Sequence, residues 1–151
     1  MRRVNFGVGL QTKPKLGIPL SVNNQALNVP VLKDVTKEQR VPSLWRPALT
    51  EIVEALVERD YGVKRGVLGV ESVSDQTARH IASYIQDYGE ELSSLPAETW
   101  ASSVCQWMDG HWEVLVDLWT RNEGRSDMVL SVRVSEQEVG YCYQIDMVYV
   151  P

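Results

Sequence analysis

With 151 residues, 44% of them apolar and 23% charged, the chain has material for one domain with a proper core and the make-up of an ordinary soluble protein. Two cysteines and the lack of any run near twenty apolar residues argue against a disulfide-built secreted module and against a membrane span. The net charge of −5 hides an asymmetry: residues 1–40 hold seven basic side chains against Asp34 and Glu38, which leaves −10 for residues 41–151.

An acidic domain of this kind is a poor match for nucleic acid, where clustered Lys and Arg supply most of the affinity, and suits a basic protein partner instead. The start Met1-Arg2-Arg3-Val4 has the charges of a signal peptide but no apolar run behind them, and the expected location is the cytoplasm.

Residues 1–40 show neither a helical nor a strand period and are punctuated by Gly7, Gly9, Pro14, Gly17, Pro19 and Pro30, so they read as a basic leader or arm. A single domain is expected over residues 41–151. Its first helix starts with Ser43 as N-cap, places Leu44, Ala48, Ile52, Leu56 and Trp45, Leu49, Val53, Val57 on one side, and stops near Gly62. Val63 to Val73 reads as a loop with at most one short strand. A second helix is expected from Ser74 to Gly89, with Ala78, Ile81, Ala82 and Ile85 as its buried stripe.

From Trp100 on, the pattern is strand. Asp109-Gly110 accepts positive φ and predicts a two-residue hairpin turn in which Trp107 faces Trp112 and Gln106 faces Glu113. One face of the hairpin then carries Cys105, Trp107, Trp112, Val114, Val116 and Leu118. A third strand turns Met128, Leu130, Val132 and Val134 inward, and a fourth turns Tyr141, Tyr143, Ile145, Met147 and Tyr149 inward. The expected fold is α+β, two-layer, with two helices packed on one face of a four-stranded antiparallel meander sheet.

Keeping the apolar sets together predicts the opposite face. Glu113 falls opposite Arg133, Asp117 beside Val129 and Asp146, and Trp119 beside Asp127 and Val148. The connection Thr120 to Asp127 adds Arg121, Glu123 and Arg125 around Gly124, more charge than a hairpin turn needs. Exposed tryptophan with arginine and acidic residues is the anatomy of a protein interface, although a merely solvated sheet face would also alternate polar residues. Catalytic chemistry finds no footing. Cys105 and His111 fall on opposite faces, and Cys142 lies about 10 Å from His111 by strand spacing. The two cysteines and two histidines have no metal-ligand spacing, no cofactor motif is present, and the Asp117 and Asp146 pair is one that any acidic sheet would offer.

The core run Glu98-Thr99-Trp100, Ser103-Val104-Cys105, His111-Trp112-Glu113-Val114-Leu115-Val116-Asp117-Leu118-Trp119 and Glu123-Gly124-Arg125-Ser126-Asp127, with the ending Tyr149-Val150-Pro151, resembles a small bacterial domain family of unknown function. The resemblance covers about Pro42 to Pro151, implies a bacterial or phage setting and carries no catalytic residues over. By size, charge and architecture the domain is also analogous to immunity proteins of bacterial toxin systems. The expected function is a non-enzymatic binding module for a basic protein, in the form of a toxin-neutralising immunity protein. Its expected contact residues are Glu113, Asp117, Trp119, Arg121, Glu123, Arg125, Asp127, Arg133 and Asp146. The rivals are a small-ligand binder or enzyme with a pocket built from Tyr141, Tyr143 and the tryptophans, and a module that self-associates as a homodimer.

Overall fold

The structure, a computed structural model, describes residues 28–151; the first 27 residues of the expected leader lie outside that range. From Val31 to Pro151 the chain forms one compact unit. Its elements in order are β1 (Gln39–Arg40), a 3-10 turn (Ser43–Trp45), α1 (Arg46–Val57), α2 (Asp75–Tyr88), β2 (Leu92–Ser93), α3 (Thr99–Ser102), β3 (Val104–Trp107), β4 (Trp112–Thr120), β5 (Gly124–Glu136) and β6 (Tyr141–Tyr149). The sheet is antiparallel and ordered β1-β3-β4-β5-β6, with β2 pairing β4 beyond the end of β3. The fold is therefore α+β around an antiparallel sheet that has six strands among the described residues rather than the expected four. The two extra strands, β1 and β2, have two residues each and are too short to show an alternation in sequence.

The β3–β4 hairpin has the register that the Asp109-Gly110 turn predicts. Gln106 pairs with Glu113 and Trp107 with Trp112, the Met108 N–H donates to the His111 carbonyl at 2.7 Å, and Asp109 sits at φ +57°. Inward alternation then buries Trp112, Val114, Val116 and Leu118 of β4 and Met128, Leu130, Val132 and Val134 of β5, which share one core with Leu49, Ile52, Val53 and Leu56 of α1 and Ile81 and Ile85 of α2. Each of these aliphatic side chains contributes about 1.5–3 kcal/mol on burial. Trp45, fully buried, meets Trp112 edge-on at 5.1 Å and Tyr141 at 5.5 Å.

Both ends of the first helix differ from expectation. The 3-10 turn precedes α1, so Ser43 falls inside the turn and Leu44 points away from the core, 66% exposed. The helix ends at Val57 rather than near Gly62. The Arg59 N–H donates to Leu56 O and the Asp60 N–H to Ala55 O, with Arg59 at φ +65°, which is a Schellman closure built on an arginine in the position glycine usually takes. The second helix starts and stops as predicted: Ser74 Oγ accepts from the Thr77 N–H, and Gly89 takes φ +88°.

Residues 31–40, read from sequence as part of the leader, pack on the sheet. The Trp112 indole N–H donates to the Leu32 carbonyl at 2.9 Å, Gln106 Nε2 donates to the Val35 carbonyl at 3.0 Å, and Lys33 lies over the Trp107 ring while pairing with Glu136. The loop from Val63 to Val73 holds no strand but meets the outer edge of β6. The Tyr143 N–H donates to Gly69 O at 2.8 Å, and the Glu71 N–H donates to Tyr143 O at 2.9 Å.

Gly69 holds φ +82°, and a Cβ there would lie 2.9 Å from the Tyr141 carbonyl, whereas Gly89 at φ +88° has open space. Both alanine variants pay the left-handed backbone cost of about 1–2 kcal/mol, and only Gly69→Ala must also move backbone. Urea unfolding should rank Gly69→Ala as the more destabilised of the two, by about 1 kcal/mol or more.

Candidate functional site

The sheet face opposite the core is laid out by cross-strand pairs. Val104, Leu115, Ser131 and Met147 form one row and Gln106, Glu113, Arg133 and Gln144 the next; Asp117, Val129 and Tyr149 follow, then Trp119 with Arg125. Two register shifts separate this layout from the one read in the sequence. In β6 the pairing steps from Val132↔Ile145 to Ser131↔Met147, which leaves Asp146 as an extra residue in a bulge. The inward alternation is broken there: Met147, expected in the core, stands on the outer face, 46% exposed, Tyr149 moves to the same face, and Val148 is buried in their place. In β5, residues 126–128 oppose Leu118 alone, so Trp119 pairs with Arg125 and not with Asp127 or Val148.

The bulge gathers a group of charges on the face. Asp146 lies within electrostatic reach of Arg133, Glu113 and His111, and His111 Nε2 stands 3.9 Å from Glu113 Oε2. Partial burial raises the Asp146 pKa; Arg133 opposes that shift and Glu113 adds to it. The cross-strand pairing of Glu113 and Arg133 is the one predicted. His111 is not among the expected site residues, although the hairpin register already sets it on this face two residues before Glu113.

The other predicted residues have intramolecular work. The Asp117 N–H donates to Ser103 Oγ, its carbonyl accepts from Thr99 Oγ1 at 2.8 Å, and its carboxylate accepts from Ser102 Oγ, so α3 is anchored to β4 through this residue. The expected long loop shrinks to Arg121, Asn122 and Glu123, because β5 already begins at Gly124. Arg121 pairs with Glu91, Asn122 Nδ2 donates to Glu90 Oε1, and Glu123 accepts from Tyr88 Oη at 3.0 Å. The Asp127 N–H donates to that same hydroxyl, which ties it to the end of α2 instead of the Trp119 neighbourhood. Trp119 is half-buried, and its indole N–H, shielded from solvent, makes no hydrogen bond.

The two thiols are held neutral. Cys105 is buried and pushed up to about 11 by desolvation; Cys142 is also pushed up to about 11, first by its 3.0 Å hydrogen bond to Glu71 Oε2 and then by partial burial. Among the described residues no group of three His, Cys, Asp or Glu side chains could hold a metal ion, and no helix is long and apolar enough to cross a membrane.

Fold and face together define a small α+β domain that displays a mixed apolar and charged strand surface. The chain belongs to the family described as Domain of unknown function (DUF7668), whose model matches residues 53–151. That agrees with the resemblance drawn from the tryptophan-rich core. No curated protein and no solved structure matches the chain.

Two expectations follow. Folding raises the Asp146 pKa above the ordinary 3.8, so the folded chain binds this proton more tightly than the unfolded chain; the side chain is unfavourable at neutral pH and is relieved as pH falls through the raised value toward 3.8. Asp146→Asn should therefore raise the melting temperature at pH 7, and the gain should vanish below pH 3.8, in thermal scans across that range. Alkylation by iodoacetamide at pH 8, followed by mass spectrometry, should find both thiols slow, and Glu71→Gln should accelerate Cys142 severalfold while leaving Cys105 unchanged.

Proposed function

We propose that the domain is a non-enzymatic protein-binding module that engages a basic partner with the outer face of its sheet. In this reading the domain has two layers, with α1 and α2 on one face and the other left for the partner. The observation that carries it is the β6 bulge. One extra residue turns a methionine out to solvent and sets a carboxylate in a partly buried place that raises its pKa despite the nearby Arg133, in the middle of an otherwise regular strand. Bulges re-aim side chains at functional positions, and a fold retains such a conflict where binding relieves it.

Met147, Leu115 and Trp119 supply apolar anchors, and Glu113 and Asp146 supply the charge that steers a cation. Asp117, Arg121, Glu123, Arg125, Asp127 and Arg133 form the surround, several of them already engaged within the domain. A bacterial immunity protein that covers a basic toxin is the biological form this reading favours, and the cytoplasm is its natural setting. The excess of acidic over basic residues from residue 41 onward supports it.

Affinity capture from bacterial lysate, with wild type, Glu113→Lys/Asp146→Lys and Met147→Asp side by side, tests the reading. The wild type should retain a basic protein in stoichiometric amount and release it as salt rises, and each variant should lose most of it. A wild-type lane without such a partner, or retention indifferent to charge reversal and to Met147→Asp, would overturn the proposal.

A further inference from the structure

A second surface lies away from this face. The 3-10 turn and the start of α1, the loop around Gly69 and the β5–β6 turn enclose a groove of about 520 Å³ whose lining includes Pro47, Ala48, Val67, Tyr141 and Tyr143. Three aliphatic side chains on its wall stand almost free of the domain: Leu44 is 66%, Leu68 96% and Val139 92% exposed. They come from three separate segments, and the chain maintains the juxtaposition through Gly69 at φ +82°, whose backbone bonds Tyr143, and through Gly140 at φ +79°. Isolated exposed aliphatics need no explanation, but three converging on one apolar groove mark an interaction surface.

Chemistry narrows the occupant. Among the described residues Glu51 is the only charged side chain lining the groove; it is followed by Glu54 on α1 and by Glu58 just past the end of the helix, the last already paired with Arg65. Glu138 adjoins Val139 in the β5–β6 turn. A small molecule inside the groove would leave the outer parts of Leu68 and Val139 wet, so only an occupant that extends over the walls uses them. A second copy docked face to face would bring the two Glu51 side chains toward one another, with no Lys or Arg among the described lining residues of either copy to offset them.

We propose that this groove docks an amphipathic helical segment of a partner protein, one that presents aliphatic residues at i, i+3 or i+4, and i+7 and carries a Lys or Arg set against Glu51. This is helix-in-groove recognition, with the aliphatic stripe giving affinity and the acid row fixing orientation. The site is independent of the sheet face and stands or falls separately from it.

The test is selection from a displayed library of random 16-residue peptides on the full chain, with the Leu68→Asp/Val139→Asp variant as counter-target. Both substitutions fall at exposed positions outside the core, so the variant should keep the wild-type melting temperature. Enriched peptides should share helically spaced Leu, Ile or Phe with a basic residue. Synthesised with a fluorescein label, they should bind the wild type in anisotropy titrations and lose at least tenfold in affinity on the variant. Glu51→Lys should weaken the basic peptide and be rescued by changing the peptide's basic residue to Glu. Failure to enrich over the counter-target, enriched sequences without the apolar spacing, or unchanged affinity for Glu51→Lys would overturn the proposal. So would a doubled molar mass in light scattering that Leu68→Asp/Val139→Asp abolishes, which would assign the groove to self-association.

Discussion

The backbone of β4 has to be hydrogen-bonded along both edges, and the fold is arranged around meeting that demand. On one side β5 covers the strand. On the other the cover is assembled from three pieces: β3 pairs with Trp112 to Leu115, the hydroxyls of Thr99 and Ser103 serve the backbone of Asp117, and β2 pairs with Trp119 and Thr120. Buried N–H and C=O groups are costly to leave unpaired, so each piece is as necessary as a longer strand would be. The one-turn helix α3 is there to hold two hydroxyls in place; Thr99 and Ser103 are accordingly buried although both are polar.

What could be read from the sequence was whatever a strict period encodes. The alternation of Trp112, Val114, Val116 and Leu118, the Asp109-Gly110 turn and the Ser74 and Gly89 caps each express a local rule, and the structure obeys all of them. In the sheet the failures fall where a local rule is broken by a distant contact. Nothing near Asp146 announces that a residue is inserted there; the shift is visible only against Ser131 and Val132 on the neighbouring strand. The same holds at Leu118, opposite which β5 spends extra residues, and at β1 and β2, which exist only because β3 and β4 have edges to pair.

The candidate surfaces follow the same division. The Glu113 and Arg133 pair was legible because it lies between two regular stretches, and Asp146 was placed on the correct face but beside the wrong neighbours. The groove was hidden for a different reason. Leu44 has the spacing of a buried helix residue and is turned out by a 3-10 turn, while Leu68 and Val139 sit next to glycines in loops where polar residues are the rule. Aliphatic residues beside Gly69 and Gly140 were the available signal, and they become meaningful only once the loops meet across Tyr143.

The family match begins at Val53, in the middle of α1, while the core includes Val41, Trp45, Leu49 and Ile52 from before that point. A chain started at the family boundary would leave Trp112 without its edge-on tryptophan partner, without the carbonyl of Leu32 for its indole, and with half a helix over the inner face of β4. The stretch by which the family is recognised is thus smaller than the stretch that builds the core. Its missing part is supplied by some twenty residues upstream, which contribute the Trp45 ring, a few aliphatic side chains, the Lys33 ammonium and the backbone oxygens of Leu32 and Val35.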